Sequence, residues 1–583
     1  MTVMPGKIGP GTKGLWGRLA LSGLCILLLT DTSLAQSART FPGWQATGAP
    51  RTIRPADQAP AAVPDRASQP LKRTQEFEPE VNQTVGGTIA RAPVLDRSGG
   101  VQPAPALQED ALASSEPLRR PQIRMGEISA IDGASVSLVS GDEALSGDLW
   151  SQADAVEMAR LLDQIEPHPT SRVLNRLMTR LLLSGGSPPS GQREGFVQAR
   201  VNALLRFGQP GDASRLVAAV GGQSPLSVNA ALLNGDFDGA CSRGNAQSAE
   251  EIFFLEVAIW CAARAGDEAA ALLDMDLMRE TGSADPLFIA LMDRQLFGAA
   301  VDIPPYTGLE PLHLAMLAGQ GALPDVSGDL PSAYIPLLAD QVQDPVDKAV
   351  LVVEAWRLGA ASVDQVAAAL AAVPNALKGP MAQKYSEARS SDAELGSFWI
   401  YGAQRDRFPL TAALSANTLS ALTPGADTGT LRYGAVQALT ATGQLRRAYE
   451  WFEISPELSP IDPVSEAHIT ALLVLSDSQA TLAAAGDLEK ILTNRARGGD
   501  KGADRMLRLI RVLENSPGRI TAMPVGETIL RTHLSLQNAS LSKTSAKTIA
   551  DAAAALLTAD LEDQARMLAV EAALTPPYLT SGS

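Results

Sequence analysis

Two stretches decide the fold: Leu204-Leu205-Arg206-Phe207-Gly208-Gln209-Pro210-Gly211-Asp212-Ala213 and Cys261-Ala262-Ala263-Arg264-Ala265-Gly266-Asp267-Glu268-Ala269-Ala270. Each reads as the end of one apolar helix, a turn centred on glycine, and the start of a second helix. Glycine adopts without strain the left-handed backbone that closes a helix. An aspartate close behind it can accept N–H bonds at the head of the next helix and complements its positive end. Alanine beside the turn lets the two helices approach closely. The unit recurs at Leu232-Leu233-Asn234-Gly235-Asp236-Phe237-Asp238-Gly239-Ala240, at Leu439–Ala448 around Gly443, and at Ala483–Glu489 around Gly486.

Composition agrees with helices. The 583 residues are 45% hydrophobic but only 4% aromatic, and alanine and leucine dominate the apolar share. Both are strong helix formers, whereas strands lean on valine, isoleucine, threonine and aromatics. Helix starts are also explicit. Asp344-Pro345 and Asp462-Pro463 each place a capping carboxylate before a proline suited to the first helical position, and Ser362 with Gln365 spells a capping box. These signals predict an all-α fold, a degenerate helical-hairpin solenoid of tetratricopeptide-like type that follows a disordered N-terminal segment. Gly208, Gly235 and Gly266 are 27 and 31 residues apart, so the period is irregular.

The first 35 residues read as a secretory signal peptide. Lys7, Lys13 and Arg18 form a basic region, Leu19–Leu29 an apolar one, and Ser33-Leu34-Ala35 presents small residues ahead of a cleavage site between Ala35 and Gln36. The apolar run is too short for the roughly 20 residues that span a bilayer, so the chain is not expected to be an integral membrane protein. Leu24 before Cys25 argues against a lipidation site. Gly9-Pro10-Gly11-Thr12-Lys13-Gly14 matches a phosphate-loop spelling but lacks the strand and helix that such a loop requires. Residues 36–121 carry a proline every few positions and read as a disordered linker. Residues 122–150 form a short extended lead-in with a candidate hairpin at Asp132-Gly133. Two helical-repeat halves, 151–375 and 376–575, and a flexible tail, 576–583, complete the chain.

The net charge of −16 and pI near 4.9 oppose nucleic-acid binding, because an acidic surface repels phosphate. Export leaves Cys241 and Cys261 as the remaining pair, a candidate disulfide in an oxidising compartment. Their spacing is not that of a metal or redox motif. His168, His313, His468 and His533 are scattered, and His468 and His313 sit among apolar residues as core histidines do. No cofactor is expected. Trp399, Tyr401, Tyr449 and Trp451 concentrate in an aromatic-poor chain, as candidate partner-binding aromatics or as packing between hairpins.

With its signal peptide, proline-rich spacer, Gly147-Asp148-Leu149-Trp150 entry and Ala/Leu helical array, the chain resembles a family of uncharacterised bacterial exported proteins. The resemblance implies location and architecture, not an activity. The expected function is a non-catalytic periplasmic or secreted scaffold that binds a protein partner of unknown identity, in cell-envelope organisation. The alternative is an accessory or catalytic factor in peptidoglycan or envelope metabolism, by analogy with lytic enzymes that append a catalytic module to a helical superhelix.

Overall fold

The computed structural model describes residues 133–579, apart from 192, 222–223, 246–250, 284, 325, 327–329, 390 and 516–522. The expected signal peptide with its Ala35/Gln36 site, the expected linker, and the Asp132 half of the candidate hairpin lie outside the described residues. Among the described residues twenty-four α-helices follow one another. The first six are α1 (Ala155–Asp163), α2 (Arg172–Leu183), α3 (Glu194–Arg206), α4 (Pro210–Val220), α5 (Pro225–Leu233) and α6 (Phe237–Asn245). Next come α7 (Ile252–Arg264), α8 (Glu268–Thr281), α9 (Pro286–Phe297), α10 (Pro311–Gly319), α11 (Ile335–Gln341) and α12 (Pro345–Leu358). Then follow α13 (Val363–Ala372), α14 (Pro380–Ala388), α15 (Asp392–Ala403), α16 (Phe408–Ala421), α17 (Arg432–Ala441) and α18 (Leu445–Phe452). The last six are α19 (Pro463–Ser476), α20 (Leu488–Arg497), α21 (Lys501–Glu514), α22 (Val525–Leu536), α23 (Ala546–Thr558) and α24 (Glu562–Ala573). Among the described residues there is no strand, only an isolated bridge between Asp154 and Ser190.

The helix boundaries have local causes. Gly208, Gly235, Gly266, Gly443 and Gly486 all take positive φ, between 63° and 83°, a conformation that glycine adopts without strain. Asp267 accepts the Ala270 N–H, and Asp236 accepts the Gly239 N–H. Asp344 and Asp462 each accept two N–H groups at the heads of α12 and α19. Ser362 and Gln365 exchange their two hydrogen bonds. Each such cap contributes on the order of 1 kcal/mol to its helix.

Successive helices pack as neighbours from α3 through α8 and again from α11 through α18. The array then closes on itself: α2 packs against α22 and α24 at the far end of the chain and against α12 in the middle. The described residues belong to one compact unit, so the two repeat halves share their packing. The lead-in takes part in this closure. Trp150 is fully buried, and the Gly526 N–H donates to the Leu149 carbonyl at 3.0 Å. A Cβ at Gly526 would stand 2.5 Å from the Trp150 ring, so only glycine permits the approach. Gly133–Ser140 runs as turn and extended chain, anchored where the Leu138 N–H meets the Leu183 carbonyl. At the other end Leu579 is buried, and the Tyr578 hydroxyl donates to Ala403, so the chain is held this far into the 576–583 stretch.

Candidate functional site

Arginines, not aspartates, join distant parts of the array. A helix leaves its last carbonyls unbonded, and a guanidinium can satisfy several of them while complementing the negative helix end. Arg200 of α3 is buried and donates to Leu182 and Ser184 at the end of α2, and to Val136 of the lead-in. Arg206 reaches Leu162 and Asp163 at the end of α1. Arg505 of α21 serves Ala572, Thr575 and Pro576 behind α24, and Arg566 of α24 serves Val474, Leu475 and Asp477 behind α19. Burial draws the Arg200 guanidinium down to about 10, which still leaves it charged.

The junction between the two chain ends collects one buried acid, Glu571, and two of the buried histidines. Glu571 of α24 accepts the Ser171 hydroxyl and, at 3.0 Å, the Arg172 N–H, so it caps α2 from the other end of the protein. Burial pushes its carboxyl up to about 7, against the pull of the Ser171 hydroxyl and the backbone N–H groups. His168 accepts the N–H groups of Thr170 and Ser171 through Nδ1, and burial holds its pKa down at about 3. His533 of α22 contacts the Glu166 carbonyl through Nε2 at 2.8 Å and lies at about 4, again through burial. Gln537 bonds to Glu166 and Gln164, and Arg531 pairs with Glu157 at 3.1 Å. From the middle of the chain, Arg357 donates to the His168 carbonyl and the Arg172 guanidinium stacks on Trp356 at 4.6 Å.

A serine, a histidine and a carboxylate therefore meet at Ser171, His168 and Glu571, but not as a nucleophile and its base. The serine hydroxyl donates to the acid, the Nδ1 of the histidine is occupied by backbone N–H groups, and Ser171 and His168 are wholly buried. A general base must reach the proton it removes. The other two histidines are core residues too. His468 is buried with its Nδ1 2.7 Å from the Tyr433 hydroxyl, and His313 lies 2.9 Å from Asp285. Among the described residues no group of three or more His, Cys, Asp or Glu is placed to hold a metal ion, and no helix is long and apolar enough to cross a membrane.

The candidate aromatics are distributed inside the array. Trp399, Tyr401 and Trp451 are buried, Trp399 donating to the Ser415 hydroxyl and Tyr401 lying under Arg405 at 4.1 Å. Tyr449 is half-buried, and its hydroxyl donates to Asp477. Their ring surface is taken up by neighbouring helices, so they line no exposed groove. A cleft of about 590 Å³ lies between α19, α20, α21 and α24. Its charged groups are engaged with one another: Arg511 with Glu489, and Arg566 with Glu562.

Cys241 and Cys261 are joined in a disulfide, with their Cα atoms 5.6 Å apart. The bond fixes α6 to α7 beside the edge-to-face pair of Phe237 and Trp260, over which Arg264 stacks. The next hairpin, α7–α8, and helix α9 carry four of the ten large apolar side chains that stand exposed among the described residues: Ile252, Leu273, Leu277 and Phe297. Leu273 and Phe297 are 71% and 65% exposed, values that place them in solvent, not at a core margin. No family model, curated protein or solved structure matches the chain.

Proposed function

We propose that the protein is a non-catalytic helical-repeat scaffold, exported to the periplasm or secreted, that holds a protein partner within the cell envelope. The observation that carries this reading is the division of labour between inside and outside. The histidines, Glu571 and most aromatics serve helix-to-helix contacts, whereas Ile252, Leu273, Leu277 and Phe297 stand exposed on the consecutive helices α7–α9. Exposed apolar residues concentrated on one part of a surface are a feature of protein-binding sites. The Cys241–Cys261 disulfide suits an oxidising compartment, in keeping with the signal peptide. The test is affinity purification of the tagged full chain from the bacterial envelope fraction. A partner recovered at stoichiometric amount is expected. Absence of any such partner, together with hydrolysis of purified cell wall by the protein, overturns the proposal in favour of envelope enzymology.

A further inference from the structure

We propose that the outer face of α8 is a docking site for a basic amphipathic helix of the partner. This inference rests on the scaffold reading. Helix α8 turns Ala271, Met275 and Met278 inward onto its main neighbour, α7, and leaves Ala269, Leu273, Asp276, Leu277 and Glu280 exposed. Leu273 and Leu277 are one helical turn apart, so they form a single apolar ridge. They are 71% and 53% exposed on a helix whose opposite side already fills the core. Neither leucine is needed to bury that helix.

Charge selects the occupant. Helix α8 holds Glu268, Asp274, Asp276 and Glu280 against one base, Arg279, whose guanidinium is bound by Asp276 at 3.1 Å and by Asp293 of α9 at 2.7 Å. Residues 251–297 contain nine Asp and Glu and three Arg, a net of −6 out of −16 for the whole chain. A membrane with anionic headgroups is repelled by such a face. A second copy of α8 is also disfavoured. Antiparallel pairing about Met275 would bring Asp274 of each copy beside Asp276 of the other, and like charges across an interface oppose association. A helix with apolar side chains at i, i+3 or i+4 and i+7, flanked by lysine or arginine, satisfies both the ridge and its acidic rim.

The experiment uses the full-length protein and a fluorescent synthetic helix of about eighteen residues, with leucine on one face and lysine on its flanks. A second peptide carries glutamate in place of lysine. The lysine peptide is expected to bind saturably at one site and the glutamate peptide at least about tenfold more weakly, with affinity falling as salt is raised. Leu273→Ser/Leu277→Ser is expected to weaken the lysine peptide by about tenfold or more, since truncation of anchor residues typically costs that much. Its thermal midpoint should match the wild type because both side chains are exposed. Asp551→Asn/Asp563→Asn, which removes charge from exposed positions on α23 and α24, should leave the affinity unchanged. Equal weakening by that control, or none by the leucine variant, overturns the proposal. So does a wild-type dimer in sedimentation that the leucine variant abolishes, which would make a second copy the occupant. A stoichiometric envelope partner that the leucine variant still captures refutes the α8 site and leaves the scaffold intact. Failure to find any partner, together with hydrolysis of purified cell wall, removes the scaffold reading itself.

Discussion

Replacement of Glu571 by glutamine should remove a specific pH dependence from the protein's stability. In the folded chain the carboxyl is buried at the head of α2 and titrates at about 7, against an ordinary 4.5. The folded state therefore holds this proton more tightly than the unfolded state. Stability from this group is fully present below about 4.5 and is lost as pH rises through 7. A rise from 4.5 to about 7 corresponds to about 3 kcal/mol at most. Glutamine keeps one oxygen, which can accept the Arg172 N–H, and sets an amide NH2 where the second carboxylate oxygen accepts the Ser171 hydroxyl; it cannot ionise. Its stability relative to wild type should thus be nearly constant at acid pH and improve by about 2–3 kcal/mol between pH 5 and 8. His168 and His533 titrate in the opposite sense. Their pKa values are depressed, so their contribution is present above about 6.5 and lost as pH falls. Because both histidines are retained in the variant, the difference between the two proteins isolates Glu571. Urea denaturation across that pH range, followed by circular dichroism, measures it. A difference that does not change with pH refutes the burial argument for this carboxyl.

Other substitutions probe the remaining contacts. Arg200→Met strips donors from the carbonyls of Leu182, Ser184 and Val136 in a buried site, and a loss of about 3 kcal/mol in denaturant unfolding is expected. Cys241→Ser/Cys261→Ser opens a loop of sequence separation 20, for which chain entropy gives a loss of about 3 kcal/mol. Reductant should then no longer affect the urea midpoint, while it does so in wild type. Gly526→Val drives a side chain into the Trp150 ring. A loss above about 2 kcal/mol and a red-shifted tryptophan emission are expected.

The helical hairpins were legible because their signals are local. A glycine at a helix end, an aspartate before a proline, or a serine three residues ahead of a glutamine acts within a single turn of chain, and Gly266, Asp344 and Ser362 behave accordingly. The closure was not legible, because its bonds join residues such as Ser171 and Glu571 that lie 400 positions apart. Glu571 looks like any other acid in an acidic chain, and only its burial distinguishes it. One signal was available for the arginine contacts. The chain contains 38 arginines and 10 lysines, and arginine's planar fork suits several carbonyls at once where lysine's point charge does not. The aromatics between 399 and 452 show the converse difficulty. Helical spacing of large rings is compatible with a binding face or with core packing, and only the positions of neighbouring helices decide between them.

The account depends on closure of the array, since closure buries His168, His533 and Glu571 and leaves the outer faces as the surface for function. Intramolecular cross-linking tests it directly. Glu157 of α1 and Arg531 of α22 lie 374 residues apart in sequence but in contact in the fold. With cysteines at both positions, a short bismaleimide should link them within one molecule, giving a faster-migrating band at protein concentrations too low for dimers. An array in which α1 and α22 lie apart would show no such band under the same conditions, and that result would contradict the closed fold.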